Sequence, residues 1–513
     1  MIGEVRIQAW YETSPVREYA GNPLIEAMPP IWSEEEAAER LAEIPPLPED
    51  ERDQPKELRL HCINRLSHLI QPLPIHLELE AVISSVLRGG YVGRNPMERA
   101  TWRHLHALEA RNTTFSTFNS TASTFSLVGL SGMGKTTALK SILRHYPQVI
   151  KHTRYNGRDF IHTQIVWLKL ECPFDGSLTG LCEAFFQAVD KALGDDAYKR
   201  YYTTRKNVSA LIRGMEQVAS TFFIGALFID ELQHLRQAKA AGKDSVLNFF
   251  VNLINSIGVP VVFIGTNSMV ELFTDIARNA RRASGQGVYD FKQPTEDDVS
   301  WDLLLTAMWD YQWVKHPVPL SISLRKTIYD LTQGVTDFLT KLMILSQRHA
   351  IQSGAETLNE QILAHVASTK MKLLQPAIAA LRSNDPRQMS KFEDLLPVDE
   401  QLVEMMRGDL HVVSDRISLL RGKYKKLAST LDACRAHENS EVQNDSALGT
   451  GTLRHQESRT LKDLVPTSAL SNKSRSVPVS ARLNASSKAT DLLRSVSWIV
   501  EEPFEFEPAY QAA

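Results

Sequence analysis

The stretch Gly129-Leu130-Ser131-Gly132-Met133-Gly134-Lys135-Thr136 decides the fold of this chain. It fits the pattern G-x-x-x-x-G-K-[ST], a loop that wraps nucleotide phosphates. Its glycines let backbone N–H groups approach phosphate oxygens without a Cβ in the way. Lys135 would place a positive charge on the phosphates, and Thr136 would offer a hydroxyl to Mg²⁺. We therefore expect nucleotide contacts from Gly129, Ser131, Gly132, Met133, Gly134, Lys135, Thr136 and Thr137.

Around this loop, apolar runs alternate with helical patterns from residue 125 to about 295. The runs are almost continuously apolar, which is typical of parallel strands covered on both faces. The alternation predicts an α/β fold with a parallel sheet between layers of helices. Strands are predicted at 125–128, 163–170, 222–229, 260–265 and 288–291, and helices at 135–145, 178–193, 207–219, 244–257 and 268–282.

A second part of the nucleotide site follows the strand Leu227-Phe228-Ile229, which ends in Asp230 and Glu231. In ATPases with this type of loop, the first acid holds Mg²⁺, which assigns the metal to Thr136 and Asp230. The next acid, Glu231, would orient and polarise the attacking water. GTPases and small-molecule kinases do not usually carry this pair of acids. The pair therefore favours an enzyme that hydrolyses ATP with Mg²⁺.

Composition limits the class of protein. The chain has 513 residues, 43 % of them hydrophobic, and a net charge of −3 from 57 basic and 60 acidic residues. This balance argues against a general polyanion binder but allows a local basic patch. The four cysteines form no C-x-x-C pair, so neither a zinc site nor a disulfide framework is expected. Without a signal-peptide core or an apolar run of membrane-spanning length, we expect a cytoplasmic protein with no membrane partner.

The N-terminal part of the chain is rich in Pro, Glu and Ala. Residues 1–110 are predicted to form an extended arm followed by a helical region. A short helix is expected near Glu34–Ile44, and Gly89-Gly90 would cap the helix around Leu77–Leu87. The α/β core is expected to span 111–295.

The C-terminal half changes in composition twice. Residues 296–400 are predicted to be a helical region, and 401–437 an amphipathic helix with apolar residues every seven positions. That seam serves either as a coiled coil or as a face packed on its own domain. Residues 438–513 are rich in Ser, Asn and Thr and are predicted to be a disordered tail. The segment Trp498–Glu507 at its end would be either a docking motif or a frayed terminus.

These elements, in this order and with a helical lid behind them, resemble the AAA+ superfamily. The resemblance implies that Thr266 or Asn267, after the fourth strand of the core, senses the γ-phosphate. It also implies an arginine finger for a neighbouring subunit, from Arg281 or Arg282. These two arginines point about 100° apart on a helix, so at most one of them is expected to act. The lid departs from the pattern, because 333–341 contains Lys341 but no arginine.

Five longer stretches carry a closer likeness: Arg6-Ile7-Gln8-Ala9, Arg88-Gly89-Gly90-Tyr91-Val92-Gly93-Arg94-Asn95-Pro96, Tyr146-Pro147-Gln148-Val149-Ile150, Ile229-Asp230-Glu231-Leu232-Gln233-His234-Leu235 and Leu247-Asn248-Phe249-Phe250. They resemble TnsC, the ATPase regulator of heteromeric cut-and-paste transposons, and its cousin TniB. The resemblance covers roughly residues 1–400. It implies a homo-oligomeric ring or filament on duplex DNA, which receives a signal from a target-selection protein and passes it to transposase subunits.

A basic stretch with interleaved aromatic residues could supply the contact with DNA. Cations of this kind neutralise phosphates without reading the base sequence. The alternative is a solvated loop. The DNA-binding residues we expect are Lys199, Arg200, Arg205 and Lys206.

Three functions are therefore compared. The first is a transposition regulator, the second is a helicase loader or initiator-type AAA+ ATPase, and the third is a scaffold or signalling ATPase that binds only proteins. The basic stretch favours the first two functions, and the N-terminal likeness to TnsC favours the first.

Overall fold

The computed structural model describes residues 6–109, 120–204, 207–237, 250, 254, 258–269, 285–389, 392, 419–420 and 422. All elements below belong to the compact unit Met1–Arg421. The predicted helices at 244–257, 268–282 and 401–437 lie wholly or largely outside the described residues, as does the tail from 438 to 513.

Eight strands occur in the described part of the chain: β1 (Arg6–Gln8), β2 (Phe125–Gly129), β3 (Val149–Tyr155), β4 (Arg158–Ile165), β5 (Trp167–Glu171), β6 (Ala226–Asp230), β7 (Val261–Ile264) and β8 (Val288–Phe291). Five of them form a parallel sheet in the order β5-β6-β7-β2-β8. Every residue of β2, β6 and β7 is buried, as expected for strands covered on both faces. The α/β prediction is confirmed, and the phosphate loop follows an inner strand of the sheet.

Strands β1, β3 and β4 form a second sheet, in which β1 is parallel and β4 is antiparallel to β3. The sequence of β3 does not suggest a strand, because the polar run from Lys151 to Arg154 interrupts its apolar residues. His152 in this run is nevertheless buried, and its ring nitrogens bond the Tyr11 hydroxyl at 2.8 Å and the Gln164 side chain at 2.9 Å. These long-range partners, which local sequence does not reveal, stabilise the sheet.

The predicted strand at 163–170 proves to be parts of two strands. Ile165 ends β4 and pairs with Val149 in the small sheet, whereas Trp167 begins β5 and pairs with Ala226 in the central sheet. The residues on both sides of the junction are apolar and buried. For this reason, hydrophobic pattern alone does not show where one strand ends.

The helices are α1 (Pro23–Glu26), α2 (Glu34–Leu41), α3 (Lys56–Cys62), α4 (Pro74–Val92), α5 (Arg99–Glu109), α6 (Lys135–Leu143), α7 (Leu178–Leu193), α8 (Arg200–Thr203), α9 (Val208–Thr221), α10 (Val299–Trp309), α11 (Ile322–Thr332), α12 (Thr336–Ser353), α13 (Glu360–Thr369), α14 (Gln375–Ser383) and α15 (Pro386–Met389). The described residues 6–60 do not extend away as an arm. Leu24, Trp32 and Leu41 share one hydrophobic core with Phe125 of the central sheet. No helix in the described ranges is long and apolar enough to cross a membrane.

The predicted cap at Gly89-Gly90 is wrong, because α4 continues through both glycines to Val92. The reason for glycine at position 90 is a close approach of two chain segments. A Cβ on Gly90 would lie 2.5 Å from Cγ of Pro260, the residue before β7. Gly90 thus lets α4 pack tightly against the central sheet, and the helix ends instead at Gly93.

The end of α4 is bonded to the chain just before β6. The Tyr91 hydroxyl donates to the Phe223 carbonyl at 2.9 Å, and Nη1 of Arg94 donates to the Ile224 carbonyl at 2.7 Å. Burial lowers the pKa of Arg94 to about 10. This part of the stretch at 88–96 therefore fixes the N-terminal region to the sheet.

Helices α10–α15 make up the described part of the C-terminal region, where the sequence predicts helices. A buried ion pair links this region to α3. The Arg59 guanidinium donates two hydrogen bonds of 2.7 Å to the Glu356 carboxylate, and a third of 2.9 Å to the Trp313 carbonyl. The N-terminal segment is thereby held between the helical region and the sheet.

Candidate nucleotide site

The loop between β2 and α6 adopts backbone angles that favour glycine. Gly129, Gly132 and Gly134 have φ values of +151°, +82° and +92°. At Gly129 space is limiting as well, because a Cβ there would lie 2.6 Å from the Phe291 carbonyl oxygen of β8. The loop lies at the carboxyl end of a parallel strand, which is where ligands bind in open α/β sheets.

Lys135 opens α6, and its side chain turns back into the loop. The residue is only 8 % exposed, and its Nζ donates to the carbonyls of Gly129 and Leu130, both at 2.8 Å. Asp290 of β8 also lies in the electric field of this ammonium group, although burial dominates and raises the pKa of Asp290 to about 6. A positive charge is therefore concentrated inside the loop, where phosphate oxygens would bind.

Thr136 and Asp230 meet as the sequence predicts. The Thr136 hydroxyl donates to Oδ2 of Asp230 at 3.0 Å, and Asp230 is buried. Lys169 of β5 approaches the same Oδ2 at 2.9 Å. One hydroxyl and one carboxylate, completed by water and phosphate oxygens, fit the way proteins usually bind Mg²⁺. The described residues contain no cluster of three His, Cys, Asp or Glu that could hold a metal ion.

Glu231 follows β6 with a φ of +58°, a left-handed conformation that turns the chain sharply. Its carboxylate lines the cavity and accepts a hydrogen bond from Nε2 of Gln233. The other end of that amide, Oε1, accepts from the Thr266 N–H at 3.2 Å. Gln233 therefore connects the predicted water-orienting acid to the end of β7.

Of the two residues proposed to sense the γ-phosphate, Thr266 lines the cavity, and its hydroxyl shares a 2.9 Å hydrogen bond with Ser268. Asn267 begins the short 3₁₀ helix Asn267–Met269. Gly265 is needed beside them, because a Cβ there would lie 2.7 Å from Oε1 of Gln233. This geometry favours Thr266 for the sensing role.

These groups surround a cavity of about 400 Å³, within the range for small-molecule sites. One wall is the loop from Ser131 to Ala138, and another contains Asp230, Glu231 and Thr266. A third comes from residues 66–76, which we call the strap and which follow α3 and include the first turn of α4. A fourth comes from α12, through Thr336, Asp337 and Thr340. The walls thus derive from the N-terminal region, the sheet and the helical region.

The first turn of α12 contacts the phosphate loop directly. The Asp337 N–H donates to the Gly132 carbonyl at 3.0 Å. Lys341, the cation expected nearest to the site in this helix, forms a 2.5 Å ion pair with Asp337. The cavity wall at α12 is therefore formed by an acid and two threonines, and Lys341 is engaged with that acid.

The basic stretch predicted to bind DNA is only partly described. Lys199 is exposed and pairs with Asp196 at 2.9 Å, while the Arg200 guanidinium lies 5.3 Å from the centre of the Tyr201 ring. Tyr201 itself stacks on Phe186 of α7 at 4.2 Å, so this ring is part of the core. Arg205 and Lys206 lie outside the described residues, as do Arg281 and Arg282.

Sequence reasoning missed Gln71, which lines the cavity, and also Lys169 and Gln233, which bond side chains that line it. Lys169 lies in the predicted strand 163–170, where the sequence assigned it no role. Gln233 follows Asp230 and Glu231 and was likewise assigned no role. Gln71 lies in the strap, before the predicted helix. A cation within an apolar strand is unusual enough to have marked Lys169, because lysine is rarely buried without a partner. The other two carry no such signal.

Comparison with known proteins is consistent with this geometry. Residues 118–273 match the family model described as "AAA domain". No curated protein was found that matches the sequence. Similar solved structures include a Walker-type ATPase of Pyrococcus abyssi, with 13 % identity over 62 % of this chain and 88 % of that one and a TM-score of 0.34.

Two other solved structures show a similar level of likeness. RuvB of Thermotoga maritima, described as a Holliday junction branch migration motor, has 13 % identity over 60 % of this chain and 84 % of its own, with a TM-score of 0.29. Cdc6p of Pyrobaculum aerophilum has 12 % identity over 63 % of this chain and 94 % of its own, with a TM-score of 0.31. At these values the similarity supports no inference about activity or partners. The family match, together with the P-loop fold of the described residues, identifies an AAA domain at residues 118–273.

Proposed function

We propose that this protein binds and hydrolyses ATP with Mg²⁺, and that it uses ATP to regulate DNA transposition. In this role it oligomerises on target duplex DNA and links a target-selection protein to the transposase subunits. The observation that carries the ATPase part is the meeting of Lys135, Thr136, Asp230 and Glu231 around one cavity. The transposition part rests on the resemblance of residues 1–400 to TnsC.

The chemistry assigned to each residue follows from its place in the cavity. Lys135 binds phosphate oxygens with its buried ammonium group, in place of the carbonyls that now accept its hydrogen bonds. Thr136 and Asp230 hold Mg²⁺, which when bound neutralises charge on the phosphates. Asp230 would share its carboxylate between that ion and Lys169. The Lys135 ammonium group would stabilise negative charge that develops on the phosphates during hydrolysis.

Glu231 acts as the group that orients water and accepts its proton. Its hydrogen bond to Gln233 holds the carboxylate at the cavity wall. Because Gln233 also bonds the backbone of Thr266, a change at the sensing residue would be transmitted to Glu231. Arg281 or Arg282 would complete the site of a neighbouring subunit, which makes hydrolysis dependent on oligomerisation.

Assembly on DNA tests the first step of this function. The protein would be imaged by electron microscopy with Mg²⁺ and ATP, with linear duplex DNA, and with both. We expect rings or filaments along the duplex only when both are present. Lys135→Ala should prevent assembly, whereas Lys140→Ala, the same change at an exposed position of the same helix, should not. Assembly by Lys135→Ala, or the absence of DNA-bound particles, would contradict the proposal.

The DNA contacts can be tested by salt dependence. A variant with alanine in place of all four cations should bind duplex DNA more weakly at every sequence, and each lost phosphate contact should reduce the slope of log affinity against log salt by about 0.9. An unchanged slope would exclude this stretch as the DNA site. The four positions are Lys199, Arg200, Arg205 and Lys206.

The link to transposition requires a separate readout. In a reconstituted reaction with transposase, transposon ends and target DNA, the wild-type protein should stimulate insertion in the presence of ATP. Deletion of residues 440–513 should keep ATP-dependent assembly and remove this stimulation, because Trp498–Glu507 is proposed to dock on transposase. Loading of a helicase in place of stimulated insertion would instead favour the loader or initiator function.

A further inference from the structure

The strap gives the cavity an end without charged side chains. Its lining residues are apolar or neutral: Leu66, Ser67, Leu69, Ile70, Gln71, Leu73 and His76. Burial lowers the pKa of His76 to about 4, so its ring is neutral at pH 7. A different wall, the phosphate loop, contains the Lys135 ammonium group. This separation suits a ligand with an uncharged ring at the strap and an anionic group at the phosphate loop.

Within the strap, Gln71 has a hydrogen-bonding group that no atom of the described residues satisfies. The residue is 4 % exposed and lines the cavity. Its Nε2 donates to the Pro72 carbonyl at 3.0 Å, while its Oε1 has no hydrogen-bond partner among the described residues. Only the NH₂ end of an amide can donate to a carbonyl, so this contact fixes which end of the side chain is the free acceptor.

An unpaired buried acceptor is costly, because it has given up water without gaining a partner. Almost all buried polar side-chain atoms in proteins are paired, and an exception next to a cavity calls for a ligand that pairs it. The ligand must present a hydrogen-bond donor on its uncharged ring. Adenine offers its exocyclic amino group as such a donor, whereas guanine has a carbonyl oxygen in the equivalent position.

We propose that Gln71 is the residue that selects the base, by accepting a hydrogen bond from the exocyclic amino group of adenine. This inference rests on the proposed function, since it requires that the cavity binds a nucleoside triphosphate. With guanine in the same place, two acceptor oxygens would face each other. Sites built to bond a donor reject analogues that lack it, because the buried partner is then left unpaired.

The first test uses the wild-type protein and changes only the ligand. Affinities for ATP, purine riboside triphosphate and GTP would be measured by competition against a fluorescent ATP analogue, with Mg²⁺ present. Purine riboside triphosphate lacks the amino group and keeps the ring and the phosphates. We expect it to bind about tenfold more weakly than ATP, which is the factor that one neutral hydrogen bond supplies. GTP should bind more weakly still.

The second test removes the acceptor. Gln71→Met keeps the length of the side chain and should bind ATP and purine riboside triphosphate equally, since neither then gains a hydrogen bond from position 71. Gln312→Met is the matched control. Gln312 is also buried, but its amide bonds the backbone of Trp309 and Val318 in the helical region. This variant should keep the wild-type ratio of the two affinities.

Three results would overturn the inference, and those that spare the ATPase proposal are distinguishable from the one that does not. If the wild-type protein binds ATP but does not prefer it to purine riboside triphosphate, or if Gln71→Met keeps the preference, Gln71 does not read the base and the ATPase proposal stands. If the wild-type protein binds none of the three triphosphates, the nucleotide site itself is wrong and the inference falls with it.

Discussion

Replacing Arg59 with methionine should strongly destabilise the protein, because it breaks a buried ion pair. The guanidinium makes four hydrogen bonds: two of 2.7 Å to Glu356, one of 2.9 Å to the Trp313 carbonyl and one of 3.0 Å to the Gln54 carbonyl. Removing one partner of a buried pair costs about 3–5 kcal/mol. The Glu356 side chain retains 16 % exposure and can be partly hydrated, so we expect the lower end, about 3 kcal/mol.

The assay is urea unfolding followed by tryptophan fluorescence, at pH 7 and at pH 4. Arg382→Met serves as the control, because Arg382 pairs with Asp330 at 2.8 Å on the surface, where a pair contributes less than about 1 kcal/mol. If the free energy of unfolding falls no more in Arg59→Met than in Arg382→Met, the reasoning is refuted. It would mean that the pair between α3 and the helical region does not contribute the expected stability.

The pH dependence has a defined sign. Hydrogen bonds from Arg59 lower the pKa of Glu356 below its ordinary value of 4.5. A carboxyl group with a lowered pKa contributes stability above its unfolded pKa, and this contribution is lost as the pH falls through the folded value. The difference in stability between the wild-type protein and Arg59→Met should therefore become smaller as the pH falls below 4.5. A difference that grows on acidification would contradict this.

Three further changes test the nucleotide site. Lys135→Ala should abolish binding of a fluorescent ATP analogue, because the phosphates lose their buried cation, and undiminished affinity would rule out the loop. Glu231→Gln should retain ATP binding while turnover falls about 10²–10⁴-fold, since the amide cannot accept the proton of water; near-normal turnover would exclude Glu231. Lys169→Met leaves Asp230 without its ammonium partner, so Mg²⁺–ATP should raise the thermal unfolding temperature by more than it does in the wild-type protein. Equal shifts would show that Lys169 does not share Asp230 with the metal.

The elements that sequence predicts well are those set by local pattern. The glycines of the loop at 129–136 are dictated by near neighbours and occur where expected, and the predicted strand at 222–229 is found as β6, which begins later, at Ala226, and includes Asp230. The small sheet of β1, β3 and β4 is different, because buried groups such as His152 are satisfied by residues far away in sequence. The prediction that Gly90 caps a helix is wrong for a similar reason. Its tight contact is with Pro260, which is far away in sequence.

The residues of the candidate site also fall into two groups, those that local sequence predicts and those that only the folded chain brings to the cavity. Lys135, Thr136, Asp230 and Glu231 belong to two short motifs, and their meeting follows from parallel strands that end at one edge of the sheet. Gln71 reaches the cavity only because the strap folds over that edge. The role proposed for Gln71 depends on a side-chain oxygen without a hydrogen-bond partner among the described residues. Whether a side-chain atom has such a partner is decided by the folded structure and cannot be read from the sequence.

The walls of the cavity affect how the protein can be divided experimentally. The region that matches the AAA family begins at residue 118 and ends at residue 273. The strap lies before this region, and Asp337, which bonds the phosphate loop, lies beyond it. A fragment cut at the family boundaries would keep both acids and the loop but lack two sides of the pocket. A fragment that keeps the whole pocket therefore requires residues from the strap through α12 in a single piece.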